Sequence, residues 1–203
     1  MSLFASAVLV AIVLSTSGST GCSADAPGTG PSGAGVAVNG RVTAYRTGDP
    51  VAGATVTFDS LASRLRLSAT TDARGAYSLT VPQVADFEVT VNGAVAGGLR
   101  VHSPGVPGDL FIDGGTCSAR YGVIYDTRSL RPLASATVTV GNREVRSDGR
   151  GWYLVTGGEC PQTFQPGGTT FMSIAHPGFE TAMRVVGRGF QAVLRQDVML
   201  ARE

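Results

Sequence analysis

The residues best suited to covalent chemistry in this chain of 203 residues are its three cysteines, Cys22, Cys117 and Cys160. Cys22 follows an apolar run over residues 3–14 and a stretch of small, mostly polar residues over 15–21. The apolar run is shorter than the roughly 20 residues that a bilayer-spanning helix needs. This order is typical of an export signal, in which a short hydrophobic region precedes small residues at a processing site.

The segment around Cys22 resembles a bacterial lipoprotein signal, in which a thiol that follows small residues is diacylated and becomes the mature N-terminus. The resemblance implies a signal peptide over residues 1–21, lipidation of Cys22 and membrane attachment in the bacterial envelope, periplasmic or surface-facing. Ser19 stands where a Leu-like residue is usual, and no Lys or Arg precedes the apolar run. Cleavage at Ala24-Asp25-Ala26, giving a secreted soluble protein, and an uncleaved anchor are the alternatives.

Cys117 and Cys160 lie together in the C-terminal half and are expected to pair as a disulfide in an oxidising compartment. In the chain-entropy model, closing such a loop contributes about 4 kcal/mol. Free thiols and a metal site are the alternatives. No CxxC motif or neighbouring histidine favours a metal, so the sequence predicts neither a metal nor another cofactor.

The two histidines, His102 and His176, are far apart and lack an accompanying nucleophile or carboxylate motif, so no enzymatic activity is predicted. His176 precedes Pro177-Gly178, which favours a turn. The acidic residues that could hold a cation lack the spacing of a calcium loop and are interpreted as turn residues: Asp109, Asp113 and Asp126.

The composition excludes several classes of protein. Hydrophobic residues make up 43% and charged residues 15%, which favours a packed core over disorder. The formal net charge is +1 without a basic stripe, so no nucleic-acid partner is predicted. The 28 glycines and ten prolines favour short strands joined by turns. Residues 22–35 are small, polar or proline and read as a flexible linker.

The rest of the chain contains an internal repeat, the strongest signal in the sequence. The segment Ala-Thr-Val-Thr at 54–57 recurs at 136–139, and Asp-Ala-Arg-Gly-Ala-Tyr at 72–77 recurs as Asp-Gly-Arg-Gly-Trp-Tyr at 148–153. The offset changes between the two motifs, which predicts a longer loop in the first repeat. Each Asp-x-x-Gly predicts a hairpin turn, with the Asp capping backbone N–H groups and the Gly accepting positive φ.

Alternation with period 2 assigns the inward-facing side chains of the strands. No segment after the export signal has a helical period. The predicted core comprises, in the first repeat, Val42, Ala54, Val56, Tyr77 and Leu79, and in the second repeat, Ile124, Ala136, Val138, Tyr153 and Val155.

Both repeats resemble the carboxypeptidase regulatory-like domain, a transthyretin-like β-sandwich. The matching motifs are a Gly-x-Val first strand at 40–42, Pro-x-x-Gly/Ser-Ala-x-Val at 50–56 and 132–138, and Thr/Ser-Asp-x-x-Gly-x-Tyr at 71–77 and 147–153. The resemblance implies an all-β fold of two tandem seven-stranded Ig-like sandwiches, over residues 36–115 and 116–203. In the first repeat, residues 92–108 are Gly-rich and lack the family's Pro-Gly-aromatic turn.

Trp152, the only tryptophan, stands beside the inward-facing Tyr153, so period 2 directs it outward. It is either a contact residue for a sugar or a partner, or it packs against the first repeat or a loop. We therefore expect a non-catalytic envelope lipoprotein that acts as a structural or protein-interaction module, bound to the membrane through lipid and to an envelope protein. The alternative is a pair of carbohydrate-binding modules, which the family's fold suggests by analogy.

Overall fold

The computed structural model describes residues 35–82, 84–102, 105–113, 118–156, 170–187 and 192–203. Within these residues the secondary structure is β-strand and turn, which confirms the predicted all-β fold. The first repeat contributes β1 (Val36–Ala44), β2 (Thr55–Ser60), β3 (Arg66–Thr70), β4 (Ala76–Val81), β5 (Ala85–Val91), β6 (Ala94–Val101) and β7 (Leu110–Ile112). The second contributes β8 (Ala119–Asp126), β9 (Thr137–Val140), β10 (Arg143–Arg146), β11 (Trp152–Thr156), β12 (Thr170–Ala175), β13 (Ala182–Gly187), β14 (Val193–Gln196) and β15 (Val198–Leu200).

The strands form three sheets. One has the order β4-β1-β7, and a second has the order β10-β9-β12-β13. The third runs β11-β8-β14-β6-β5-β2-β3, with β15 also paired to β8. This third sheet contains strands of both repeats, and the described residues belong to one compact unit.

The two repeats share strand connectivity and register. In the first, β1 pairs with β4 antiparallel and with β7 in parallel, aligning Val42 with Leu110. In the second, β8 pairs with β11 antiparallel and with β15 in parallel, aligning Ile124 with Val198. Among the described strands, seven of each repeat correspond in this way, and β14 is additional. The predicted insertion lies in the first β-hairpin of repeat 1, where β2 and β3 are longer than β9 and β10.

The Asp-x-x-Gly hairpin turns adopt the predicted geometry. Asp72 Oδ1 accepts the N–H groups of Arg74 and Ala76, both at 2.8 Å. Asp148 Oδ1 likewise accepts two N–H groups, at 2.8 and 2.9 Å. Gly75 and Gly151 have φ of +74° and +71°. A Cβ at Gly75 would also lie 2.5 Å from a backbone oxygen of β1, so the turn requires glycine for conformation and for space.

The ten residues predicted to form the core are all buried, and they divide between two hydrophobic clusters, one in each repeat. The two repeated tyrosines also make equivalent hydrogen bonds. Tyr77 Oη donates to the Gly108 carbonyl at 2.5 Å, and Tyr153 Oη donates to the Gln196 carbonyl at 2.6 Å. Each ring therefore fills the core while its hydroxyl binds the backbone just before the last strand of its repeat.

The strand β14 joins the two repeats, which sequence reasoning did not predict. The sequence indicates one extended segment over residues 193–200, but the chain forms two short strands there, separated by Asp197. β14 pairs in parallel with β8 on one side and with β6 of the first repeat on the other. Gly97 allows this approach, since its φ is +132° and an added Cβ would lie 2.2 Å from the Arg195 carbonyl oxygen.

Candidate ligand cleft between the two repeats

Trp152 lies where the two repeats meet, and its ring is half-buried. The ring centroid is 5.6 Å from that of Tyr121 on β8 and 6.4 Å from that of Phe111 on β7 of the first repeat. The Arg195 guanidinium lies over the same ring, 5.6 Å from its centroid. The outward direction predicted from period 2 therefore leads to the first repeat, and the ring packs there on one part of its surface.

The remaining surface of Trp152 lines a cleft of about 590 Å³. The first repeat supplies the wall formed by β1, the start of β4 and the approach to β7, and the second supplies Val123, Arg150 and Trp152. The polar residues of the first wall are Asn39, Arg41, Thr43 and Asp109. The cleft thus combines an aromatic ring with amide, hydroxyl, carboxylate and guanidinium groups, a typical set for ligand recognition.

Two guanidinium groups give the cleft a positive balance. Arg150 is largely exposed and lies 3.8 Å from Asp148, a weak surface pair. The Arg41 backbone N–H donates to Asp109 Oδ1 at 3.0 Å, which fixes that carboxylate on the cleft wall. The backbone N–H groups of Ala76 and Arg74 lower the pKa of Asp72, and the charge of Arg41 contributes to the same shift.

A buried ion pair supports the cleft beneath Trp152. Arg195 donates to both carboxylate oxygens of Asp197, at 3.1 and 3.2 Å, and to the Asp109 carbonyl at 3.0 Å. Both side chains are almost fully buried. Burial acts to lower the pKa of Arg195, but the charge and hydrogen bonds of Asp197 outweigh it and raise that pKa. The pair connects β14 to the first repeat, and nothing in the local sequence distinguishes Arg195 from an exposed arginine.

Tyr121 is a second connection between the repeats that sequence reasoning missed. Its hydroxyl accepts the Phe111 N–H at 2.8 Å, and its ring lies 5.0 Å from that of Phe111. Burial raises the pKa of Tyr121 to about 12. Tyr121, Trp152 and Phe111 belong to a third apolar cluster between the two repeat cores.

The structure disperses the other residues considered for chemistry. His102 is buried against Tyr125, with ring centroids 4.4 Å apart. His176 occupies the expected turn, with Nδ1 3.0 Å from the Pro177 carbonyl oxygen.

Asp126 accepts the Arg128 N–H and the Ser129 hydroxyl, as a turn residue does, and Arg202 holds its pKa well below the usual range. Burial raises the pKa of Tyr45, and the negative charge of Asp113 contributes to the same shift.

Cys22, Cys117 and Cys160 lie outside the described residues, so lipidation and the disulfide stay predictions. Within the described ranges, no cluster of three His, Cys, Asp or Glu side chains is arranged to hold a metal ion. The same part of the chain contains no helix of the length and hydropathy needed to cross a bilayer.

Residues 37–102 match the family model of the carboxypeptidase regulatory-like domain, which supports the resemblance for the first repeat. This match covers less than half of the chain. No curated protein sequence matches the chain.

Among solved structures, the chain is similar to the Bacillus anthracis TIE protein, at 16% identity and a TM-score of 0.31 over 83% of this chain and 34% of that one. It is also similar to a streptococcal ancillary pilin, at 13% identity and a TM-score of 0.31 over 83% of this chain and 62% of that one. The shaft pilin SpaA of Lactobacillus rhamnosus GG matches at 12% identity and a TM-score of 0.33, over 83% of this chain and 98% of that one. Similarity at this level does not assign a function to the chain.

Proposed function

We propose that this protein is a non-catalytic interaction module of the bacterial envelope, with two carboxypeptidase regulatory-like domains at residues 36–115 and 116–203. The observation that carries the proposal is that hydrogen bonds join the two walls of one cleft: Tyr121 Oη of the second repeat accepts the Phe111 N–H, and Arg195 donates to the Asp109 carbonyl. A cleft with fixed walls binds with little loss of conformational freedom, which favours recognition.

The cleft contributes groups that recognise a ligand. The Trp152 ring offers an apolar face, Arg41 and Arg150 offer charged donors, and Asn39 and Thr43 offer neutral polar groups. Aromatic and arginine side chains are the residues that most often dominate binding energy at protein interfaces. An envelope protein that presents an acidic group beside an apolar side chain is the partner this cleft suits best.

Attachment to the membrane is proposed to occur through lipid on Cys22, with residues 22–35 as a spacer. The proposal rests on the apolar run and the small residues before Cys22. Stable attachment requires more than one acyl chain, because a single chain binds a bilayer only marginally. A secreted soluble protein cleaved after Ala26 is the alternative.

Intact mass spectrometry of the membrane-extracted, unreduced protein tests the anchor and the disulfide together. We expect a mature chain beginning at acylated Cys22 that gains the mass of two hydrogens on reduction, as a Cys117–Cys160 bond requires. A soluble product beginning at Pro27 would contradict the anchor. An unreduced chain in which both thiols react with an alkylating reagent would contradict the disulfide.

Carbohydrate binding is the second candidate function, and the position of Trp152 favours it. A half-buried indole can stack on the apolar face of a sugar ring, while Asn39, Thr43 and Arg41 lie in the same cleft for its hydroxyl groups. This candidate uses the same cleft as a protein partner, so one set of variants tests both.

Trp152 is the only tryptophan, so fluorescence of the full mature chain reports on the cleft alone. A glycan ligand is expected to give a saturable change in Trp152 emission with soluble oligosaccharides of neutral or uronic-acid type. For a protein partner, a photo-crosslinking amino acid replacing Arg150 is expected to give a discrete protein adduct in envelopes. The same group replacing Arg143, exposed on β10, is the matched control. Equal adducts at both positions, together with unchanged emission, would contradict the cleft as the contact site.

A further inference from the structure

We propose that a second groove, at the free edge of β13, binds an extended acidic peptide segment of a partner protein as an added strand. The β13 groove has a volume of about 830 Å³, and the residues of its lining that matter here are Leu61, Val95, Arg100, Arg120, Arg184 and Val185. The inference shares the assumption of an interaction module but uses a different surface from the Trp152 cleft. Either site can therefore fail without the other.

Among the described residues, β13 is the last strand of its sheet, so the edge that faces away from β12 has no neighbouring strand. The counterpart of β13 in the first repeat, β6, is instead covered by β14. A free strand edge presents unpaired N–H and C=O groups that can pair with an incoming extended chain. The repeat symmetry thus identifies β13 as the edge still available for pairing.

Exposed apolar side chains lie beside this edge. Val185 is 61% exposed and pairs across the sheet with Phe171, while Met183 projects from the same face. Leu61 and Val95, also exposed, line the groove from the first repeat. Exposed apolar groups clustered around one groove are characteristic of an interaction site. They suit alternate apolar side chains of an added strand, which project on one face.

The charge of the groove selects an acidic occupant. Arg184 is exposed, and its Nη1 donates only to the carbonyl of Met183. Arg120 is 4% exposed and donates to three backbone carbonyls, including Val186 of β13 at 2.8 Å. Neither guanidinium has a carboxylate partner among the described residues, whereas Arg100 lies 3.5 Å from Asp86. The two carboxylates in the lining, Asp86 and Asp197, already pair with Arg100 and Arg195. The groove therefore keeps a net positive charge, with Arg184 as its exposed unpaired cation, and this charge complements an acidic segment.

Arg184 also disfavours a second copy of this chain as the occupant. Pairing of two β13 edges would bring the exposed Arg184 side chains of both copies to one junction, where like charges repel each other. An acidic strand instead brings the opposite charge to Arg184.

The test is fluorescence anisotropy of the full mature chain with two labelled short peptides, one alternating valine with glutamate and the other alternating valine with lysine. We expect the glutamate peptide to bind, the lysine peptide not to bind, and binding to weaken with added salt. Arg184→Glu should weaken binding by about tenfold or more, because it replaces an attractive charge with a repulsive one. N-methylation of alternate peptide residues should abolish binding, because it removes the N–H groups that pair with β13.

Arg143→Glu is the matched control, because it makes the same charge change on β10, at the opposite edge of the same sheet. It should leave binding within about twofold of the unaltered chain, since the charge lies away from the groove. Arg184→Ala serves as a second variant if thermal unfolding shows that Arg184→Glu perturbs the fold.

Equal binding of both peptides, equal losses from the two Glu variants, or no binding at all would overturn the proposal. Self-association of the unaltered chain in sedimentation that Arg184→Glu abolishes would also overturn it, because the occupant would then be a second copy. If the glutamate peptide binds but neither a glycan nor a protein partner is found for the Trp152 cleft, the proposed function of the cleft is contradicted. The proposal for the β13 groove is then still supported.

Discussion

Replacing Asp197 with Ala is expected to destabilise the protein by about 3–5 kcal/mol, because it leaves the Arg195 guanidinium buried without a counter-charge. The two side chains are 3% and 0% exposed, and Asp197 Oδ1 also accepts the Val123 N–H at 3.0 Å. A domain of this size is stabilised by only about 5–15 kcal/mol in total. Urea unfolding of the full chain, followed by circular dichroism, measures the loss.

Two further variants isolate the buried charge as the cause. Replacing both partners with apolar residues, Arg195→Met with Asp197→Leu, should recover much of the loss, since neither charge then remains buried. Arg66→Ala breaks the ion pair with Asp59 on the first hairpin, where the arginine side chain is 71% exposed, and should have a far smaller effect. An Asp197→Ala loss no larger than that of Arg66→Ala would contradict the structural role of the pair.

Asp197→Ala also tests the connection between the repeats. Since Arg195 pairs with Gly97 of β6 and donates to the Asp109 carbonyl, losing its counter-charge should loosen both repeats at their junction. Hydrogen exchange of Asp197→Ala is therefore expected to increase in β6 as well as in β8 and β14. Faster exchange confined to the second repeat would indicate that β14 does not couple the two.

Replacing Tyr153 with Ala is expected to cost about 3–5 kcal/mol, as for other large aromatic side chains removed from a core. Its ring is 1% exposed, and its hydroxyl donates to the Gln196 carbonyl at the junction of β14 and β15. Tyr77→Ala should cost a similar amount in the first repeat, because the ring and the hydrogen bond occupy equivalent positions. Urea unfolding of the full chain measures both variants.

Two neighbouring substitutions distinguish the ring from the hydroxyl and the inside of β11 from its outside. Tyr153→Phe should cost about 1 kcal/mol, since it removes one hydrogen bond and keeps the packing. Trp152→Ala should cost less than Tyr153→Ala, because the Trp152 ring is only half-buried. A Trp152→Ala loss equal to that of Tyr153→Ala would contradict the assignment of Trp152 to the partly open face. It would also remove the basis for treating Trp152 as a ligand contact.

The interior of each repeat can be predicted from local patterns in the sequence. Period 2 identifies Val56 and Val138 as buried because successive strand residues face opposite sides, and only one side meets the core. The Asp-x-x-Gly motif identifies the hairpin turns at Gly75 and Gly151, because the φ required there is open mainly to glycine. These features depend on near neighbours along the chain, so a single sequence contains the information needed to predict them.

The junction of the two repeats, in contrast, depends on contacts between residues that are distant along the chain. Residues 193–200 read as one closing strand, and no local pattern indicates that Val193–Gln196 pairs with β6 of the first repeat as well as with β8. The alternation that directs Trp152 outward cannot say whether solvent or Phe111 lies there. An arginine in an extended segment is normally exposed. The burial of Arg195 depends on Asp109 and Gly97, far away in sequence, because pairing across a sheet brings together residues that no local period relates.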